Sequence, residues 1–239
     1  MSADPRPPQP LPMPAPLAPP EGFAGRLAEI GVSLDAAVIA ALGDYLARLL
    51  AMNEHMNLTA IRDPAEAWER HVLDALTLLP LLAELGAGAR LVDVGSGGGV
   101  PGIPLAIARP AMRVTLVEAT QKKAAFLSAV AAAMGLANVS VRAERAEQLA
   151  SGALRGAFDA VTARAVGRLA TLVPLTVPFA RPGGLVLLVK GQRADEELGE
   201  ASRALAMEHA THEKTVATPT GRIVVLRRGA GEARRKPRR

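Results

Sequence analysis

The chain has 239 residues, 49% hydrophobic and 21% charged, enough to bury a full core in one main domain with room for a small extra element. It contains no cysteine, which excludes disulfides, thiolate zinc sites, iron–sulfur clusters and a cysteine nucleophile. The net charge is +5, but the segment from Arg227 to Arg239 sets seven Arg and Lys against Glu232 alone; the remainder is near −1 and gives no sign of a uniformly basic nucleic-acid-binding body.

The first 20 residues hold nine prolines without apolar periodicity, so residues 1–22 are expected to be a disordered leader. This is not a charged-then-apolar signal peptide, and no unbroken apolar run approaches the roughly 18 residues of a membrane span, so the expectation is a cytoplasmic protein with no membrane partner. Residues 23–88 read as a helical cap. Ser33 resembles an N-cap for a helix whose Leu34, Val38, Ile39, Leu42, Leu46, Leu49 and Leu50 share a face. Asp63-Pro64 then resembles the cap and first turn of a second helix carrying Trp68, Val72, Leu73, Leu76 and Leu79.

Over residues 89–228 short β-branched runs alternate with helical stretches. The predicted strands are Arg90–Val94, Arg113–Glu118, Val139–Arg142, Ala160–Ala163, Gly184–Val189, Glu213–Ala217 and Ile223–Leu226. Helices are predicted near Ile103–Ala108, Gln121–Met134 and Leu169–Ala180. Such alternation specifies an α/β, doubly wound parallel sheet with ligands at the carboxyl ends of its strands. Thr218-Pro219-Thr220-Gly221 joins the last two strands as a hairpin, which adds an antiparallel strand. Residues 229–239 read as a basic tail, either solvated or acting as an arm that steers RNA by displacing counterions.

The first predicted strand runs into Asp93-Val94-Gly95-Ser96-Gly97-Gly98-Gly99-Val100-Pro101-Gly102. Buried β-branched residues suit a parallel strand, and the glycines let backbone approach a ligand just before a helix whose first N–H groups are free. Gly97, Gly99 and Gly102 also satisfy G-x-G-x-x-G, with Glu118 placed 21 residues after Gly97 to accept from a ribose. That pattern serves nicotinamide and S-adenosylmethionine sites alike. Asp93 favours the second, because a carboxylate at the strand tip would attract an amine or sulfonium and repel a pyrophosphate.

The run Asp93 to Pro110, with its Pro101-Gly102-Ile103-Pro104 continuation, closely resembles the bacterial 16S ribosomal RNA guanine-N7 methyltransferases, the glucose-inhibited division protein B family. Asn57 to Pro64, His71 to Leu76, Lys122 to Leu127, Ala163-Arg164-Ala165-Val166 and Lys190-Gly191 agree in the same order. The resemblance implies a class I S-adenosylmethionine-dependent methyltransferase with a Rossmann-like, seven-stranded, mostly parallel sheet and an N-terminal helical cap. It implies S-adenosyl-L-methionine as cofactor, 16S rRNA or a small-subunit ribosomal particle as partner, and action on guanine N7 in the 530 loop; we expect a monomer. A small-molecule methyltransferase and an NAD-dependent oxidoreductase are the competing readings.

Guanine N7 carries a lone pair and no proton, so its methylation requires alignment and charge management but no general base. Consistent with this, the chain has no Asn-Pro-Pro-aromatic tetrapeptide for exocyclic amines and no cysteine to attack a pyrimidine. By resemblance, Gly95 and Val100 line the methionine and ribose region, Gly97 permits close approach, Glu118 holds the ribose, and Ala146 with Glu147 meets the adenine. Arg164, at the end of the fourth strand, is expected to face both cofactor and substrate and to hold a phosphate or the guanine edge; a surface salt bridge is the plain alternative. Lys190, followed by Gly191, is expected to contact backbone phosphate or else to snorkel. Arg145 and Arg222 are candidate RNA contacts. In the cap, Asn57 reads as a turn former, Arg62 as a candidate, and His71 with Asp74 as an i, i+3 pair whose first reading is a structural hydrogen bond.

Overall fold

The computed structural model describes residues 11–164 and 167–230. Its cap begins with α1 (Phe23–Glu29) and α2 (Ala36–Asn53). Asp35, not Ser33, caps α2: its side chain accepts from the Val38 N–H at 2.8 Å, the reach expected from N-cap to N3. Among the described residues α2 is the one helix long and apolar enough to cross a membrane, yet it carries Asp44 and Arg48 and buries half of its length inside the protein.

The second cap helix opens as predicted, with Asp63 accepting from Glu66 N–H and Pro64 in the first turn. It then changes character. After α3 (Pro64–Ala67) the chain widens into a π-helical turn at Trp68–Leu73 and returns to α geometry as α4 (Asp74–Leu76). Trp68 packs edge-on against Phe23 with ring centroids 4.8 Å apart, joining this segment to α1. Of the expected leader, residues 1–10 lie outside the described residues; Leu17 is seated against the cap, donating its N–H to the Gly43 carbonyl of α2.

Seven strands follow: β1 (Arg90–Val94), β2 (Arg113–Val117), β3 (Val139–Arg142), β4 (Phe158–Arg164), β5 (Ala180–Lys190), β6 (Ala210–Thr218) and β7 (Gly221–Arg228). Their spatial order is β3-β2-β1-β4-β5-β7-β6; the first five run parallel, and β7 pairs antiparallel with both β5 and β6. The expected α/β sheet is therefore present, and the Thr218–Gly221 hairpin closes it as predicted. Helices α5 (Gly102–Ala108), α6 (Gln121–Ala133), α7 (Ala146–Ser151), α8 (Leu169–Thr176), α9 (Ala194–Glu200) and α10 (Ser202–Met207) fill the connections. The predicted helix at Leu169–Ala180 ends early, because Pro174 and Pro178 turn its last part into a 3₁₀ segment at Val177–Phe179. Three short helices, α7, α9 and α10, carry too little apolar period to be read in advance.

Two apolar clusters flank the sheet. One joins Leu91, Leu116, Leu187 and Ile223 to the cap residues Tyr45, Leu46, Leu49 and Trp68; the other joins Val92, Val161 and Val186 to α8. Side chains alternate along a strand, so Leu91 and Val92 enter opposite clusters. The cap thus shares one core with the sheet and covers the carboxyl end of β1.

The basic end of the chain divides at the sheet. Arg227 pairs with Glu213 and donates to the Gly183 carbonyl at 2.9 Å, while Arg228 donates to the Pro178 carbonyl at 3.0 Å. These two arginines belong to β7, and residues 231–239 lie outside the described residues.

Candidate functional site

The glycine turn leaves β1 at the centre of the sheet, where neighbouring strands diverge and a crevice must open. Gly95 and Ser96 donate to the Val117 carbonyl of β2 at 2.9 and 3.0 Å, and Gly97 donates to Glu118 Oε2 at 2.9 Å. The other Glu118 oxygen accepts from the Thr120 N–H at 2.8 Å. One carboxylate therefore ties the tip of β1 to the tip of β2 while retaining lone pairs for further donors. The cap presses on Gly98: an added Cβ would lie 2.8 Å from the Leu49 Cδ1 methyl. From the same helix Tyr45, completely buried, donates its hydroxyl to the Gly98 carbonyl at 2.9 Å. Burial raises the Tyr45 pKa far above its usual value, so the phenol stays a donor.

Asp93 lies beneath this turn and not at an open strand tip, contrary to the charge argument from sequence. It is 1% exposed; Oδ1 accepts from Thr162 at 2.9 Å and Oδ2 from the Gly102 N–H at 3.3 Å. Burial pushes its pKa up to about 6 against the opposing hydrogen bonds from Thr162, Ser96 and Gly102. Its contacts are those of a strut between β1, β4 and the start of α5.

Arg164, the last residue of β4, turns back to the cap. Nη1 donates to the Arg70 carbonyl and approaches Asp74 Oδ2 at 3.5 Å, and Nη2 donates to His71 Nδ1 at 3.1 Å. His71 Nε2 lies 2.9 Å from the Thr59 hydroxyl, and Asp74 also accepts from Thr220 in the β6–β7 turn. The expected local bond between His71 and Asp74 is replaced by convergence of both on Arg164. Burial first, then the Arg164 charge, lowers the His71 pKa to about 4, so the imidazole is neutral at pH 7. A cleft of about 260 Å³ opens between these groups, lined by Gly95, Gly97, Val100, Leu58, His71 and Arg164 among others.

The remaining predicted residues are not among those lining this cleft. Lys190 is engaged internally: its ammonium pairs with Glu197 at 2.8 Å and donates to the Gly167 carbonyl, with 9% of the side chain exposed. Arg222 sits opposite Lys190 across β5 and β7; its buried Nε lies 3.7 Å from Asp195 and has no hydrogen-bond partner among the described residues. Arg145 is exposed at the start of α7, where Ala146 is half-buried and Glu147 exposed; all three stand on the carboxyl rim, two strands from β1. Asn57 and Arg62 are exposed. The turn expected from Asn57 is made instead by the buried Asn53, whose side chain accepts from both Leu58 and Thr59 N–H at 2.9 Å. Ala165 and Val166 lie outside the described residues. Sequence reading missed Tyr45, Leu49 and Thr59; their apolar or local hydrogen-bonding patterns carry no sign of the partners that the fold brings to them.

Comparison with known proteins supplies an independent line. The family model described as rRNA small subunit methyltransferase G (GidB) matches residues 38–225. A protein of Sorangium cellulosum named ribosomal RNA small subunit methyltransferase G is 74% identical over 239 residues, covering 100% of both chains. A protein of the same name from Burkholderia thailandensis is 45% identical over 190 residues, covering 77% of this chain and 82% of its own. Among solved structures, an O-methyltransferase from Bacillus cereus in complex with SAH superposes with a TM-score of 0.57 at 16% identity, covering 86% of this chain and 96% of that one. At that identity the likeness concerns the fold.

Proposed function

The chain belongs to the rRNA small subunit methyltransferase G family, and from that premise we propose how its cleft carries out methyl transfer from S-adenosylmethionine to guanine N7 in the 530 loop of 16S ribosomal RNA. The observation that carries the reading is the glycine turn, tied to Glu118 through the Gly97 N–H and lining one cleft together with Arg164. The cleft fits the donor. Gly97 leaves room that a side chain would fill, since a Cβ built there meets nothing nearer than the Gly95 carbonyl at 3.9 Å. When bound, the donor supplies a methyl group already activated on a sulfonium.

We assign Gly95, Gly97 and Val100 to its methionine and ribose region, Glu118 to the ribose hydroxyls, and Ala146 with Glu147 to the adenine along the same rim. Asp93 supports the turn from below through its bonds to Thr162 and the Gly102 N–H. Arg164 orients the acceptor. A bidentate grip on guanine O6 and N7 would occupy the lone pair that must attack, so its guanidinium serves a phosphate or O6 alone. No residue is needed to remove a proton, because N7 has none in the neutral base. The cap residues Leu49 and Leu58 exclude water from the reacting side, and the gain from holding nucleophile and methyl in line amounts to several kcal/mol, on the order of the proximity effect.

The exposed Arg145 and the half-buried Arg222 serve as first RNA phosphate contacts; Lys190 joins them only if a phosphate displaces Glu197. We place the reaction in the cytoplasm, on 16S rRNA or a small-subunit particle, with the chain acting as a monomer. A thermal-shift experiment tests the donor site. S-adenosylhomocysteine at about 100 times its Kd stabilises the fold by about 2.7 kcal/mol, and NAD at the same concentration leaves the melting temperature unchanged. Stabilisation by NAD alone contradicts the assignment.

A further inference from the structure

We propose that His71, a cap residue outside the glycine turn, is a positioning residue for the methyl transfer: it clamps Arg164 and leaves one selected edge of the guanidinium to the substrate. The inference rests on the functional reading above.

The bonding scheme follows from donor counting. Arginine has five N–H donors and no acceptor, so at the 3.1 Å contact Arg164 Nη2 must donate and His71 Nδ1 must accept. In a neutral imidazole the proton then sits on Nε2, where it is donated to the Thr59 hydroxyl at 2.9 Å; Thr59 in turn accepts from Ile61 N–H at 3.1 Å. The Thr59 hydroxyl has two lone pairs, enough to accept from both His71 and Ile61. The charged form of His71 would lose the contact with Arg164 and set two cations together, in keeping with a pKa lowered to about 4.

On the guanidinium, both hydrogens of Nη1 are directed to the Arg70 carbonyl and Asp74, and one of Nη2 to His71. Nε–H and the second Nη2–H remain without protein acceptors among the described residues. These two donors are what the guanidinium has left to offer the oxygens of a phosphate or a base. A π-helical turn supplies the Arg70 carbonyl and His71 together, and such turns recur at functional sites. Asp74 extends the clamp to Thr220, so the cap, the end of β4 and the β6–β7 turn meet at one side chain.

The test is a double-mutant cycle with methyl transfer to rRNA as readout, accompanied by nitrogen NMR of the imidazoles in the full chain. His71→Leu lowers the rate about tenfold in the otherwise unmodified protein and less than about twofold in an Arg164→Ala background, because its effect passes through Arg164. His71→Asn, which keeps an acceptor near the Nδ1 position, restores the rate to within about threefold of the unmodified protein. The resonance that disappears in His71→Asn reports an Nε2–H neutral tautomer at pH 7. Equal losses from His71→Leu in both backgrounds overturn the proposal, as does an Asn variant no faster than Leu or an Nδ1–H tautomer. Should the unmodified chain fail to methylate rRNA, the functional reading falls on that result alone, and the nitrogen spectrum still decides the clamp.

Discussion

Arg164 is constrained before any RNA arrives, and that constraint determines what its loss should do. Arg164→Ala removes a side chain that links cap, sheet and cleft, so methyl transfer falls at least tenfold, about 1.4 kcal/mol of barrier. The variant remains folded but melts lower by the equivalent of about 1–3 kcal/mol, because Asp74 and His71 keep their burial and lose a donor. Rate and urea-unfolding measurements on the same preparation check both parts; normal turnover would place Arg164 outside the reaction. Tyr45→Phe isolates a second residue. It deletes only the hydroxyl bonded to Gly98, leaving that carbonyl short of a donor in a buried place. A severalfold weaker affinity for S-adenosylhomocysteine in calorimetry, with rRNA affinity unchanged, is expected; unchanged cofactor affinity would mean that the turn holds its shape without the cap.

At the scale of elements, the glycine turn and the start of α5 act as one rigid unit. A Cβ at Gly102 would lie 2.3 Å from Leu116 and 3.0 Å from Asp93 Oδ2, whereas one at Gly191, after β5, meets nothing within 4 Å. Gly102→Ala therefore destabilises by a few kcal/mol, as overpacking does, and Gly191→Ala changes stability by less than about 0.5 kcal/mol. Equal chemical-denaturation midpoints for the two variants would contradict the packing described. The same elements explain what was legible in the sequence. β1 and its turn, the Asp63-Pro64 helix start and the Thr218–Gly221 hairpin depend on near neighbours and are written as local patterns. The choice of Asp35 over Ser33 as cap was not, since both residue types can cap and only the backbone path decides. Nor was the π turn, because its apolar spacing resembles that of an α-helix. In the site, Glu118 and Arg164 could be singled out by motif and resemblance. The contacts between Tyr45 and Gly98, 53 residues apart, and between Arg164 and His71, 93 apart, exist only once α2 and the π turn have docked on the sheet. Asp93 was legible as an acid at a strand end but not as a buried one, since exposure is a property of the whole fold.

For the molecule as a whole, two buried groups set opposing pH dependences. The native chain releases the His71 proton near pH 4 and the unfolded chain near 6.5, so between these values the unfolded state binds more protons and stability rises with pH. Asp93 does the reverse: the native chain keeps its proton to about pH 6 and the unfolded chain loses it near 3.8, so stability falls as pH rises across that window. Each effect amounts to roughly 3 kcal/mol, since a tenfold change in proton affinity on folding is worth about 1.4 kcal/mol. Between about pH 4.5 and 6, His71→Leu should make the slope of unfolding free energy against pH more negative than in the unmodified chain, and Asp93→Asn should make it more positive. Parallel slopes in all three proteins would show that neither group titrates as its burial implies.

The cap and sheet share a core over the carboxyl end of β1, and the same closure that buries Asp93 and His71 shapes the crevice for donor and base. Whether that crevice acts on guanine N7 is decided most directly by mapping methylation in 16S rRNA from cells lacking this protein, by mass spectrometry of the 530-loop fragment. N7-methylguanosine is expected to be absent from that fragment and to reappear when the purified chain and S-adenosylmethionine are added to the RNA or to small-subunit particles. Full methylation of the loop in the cells without the protein would contradict this assignment.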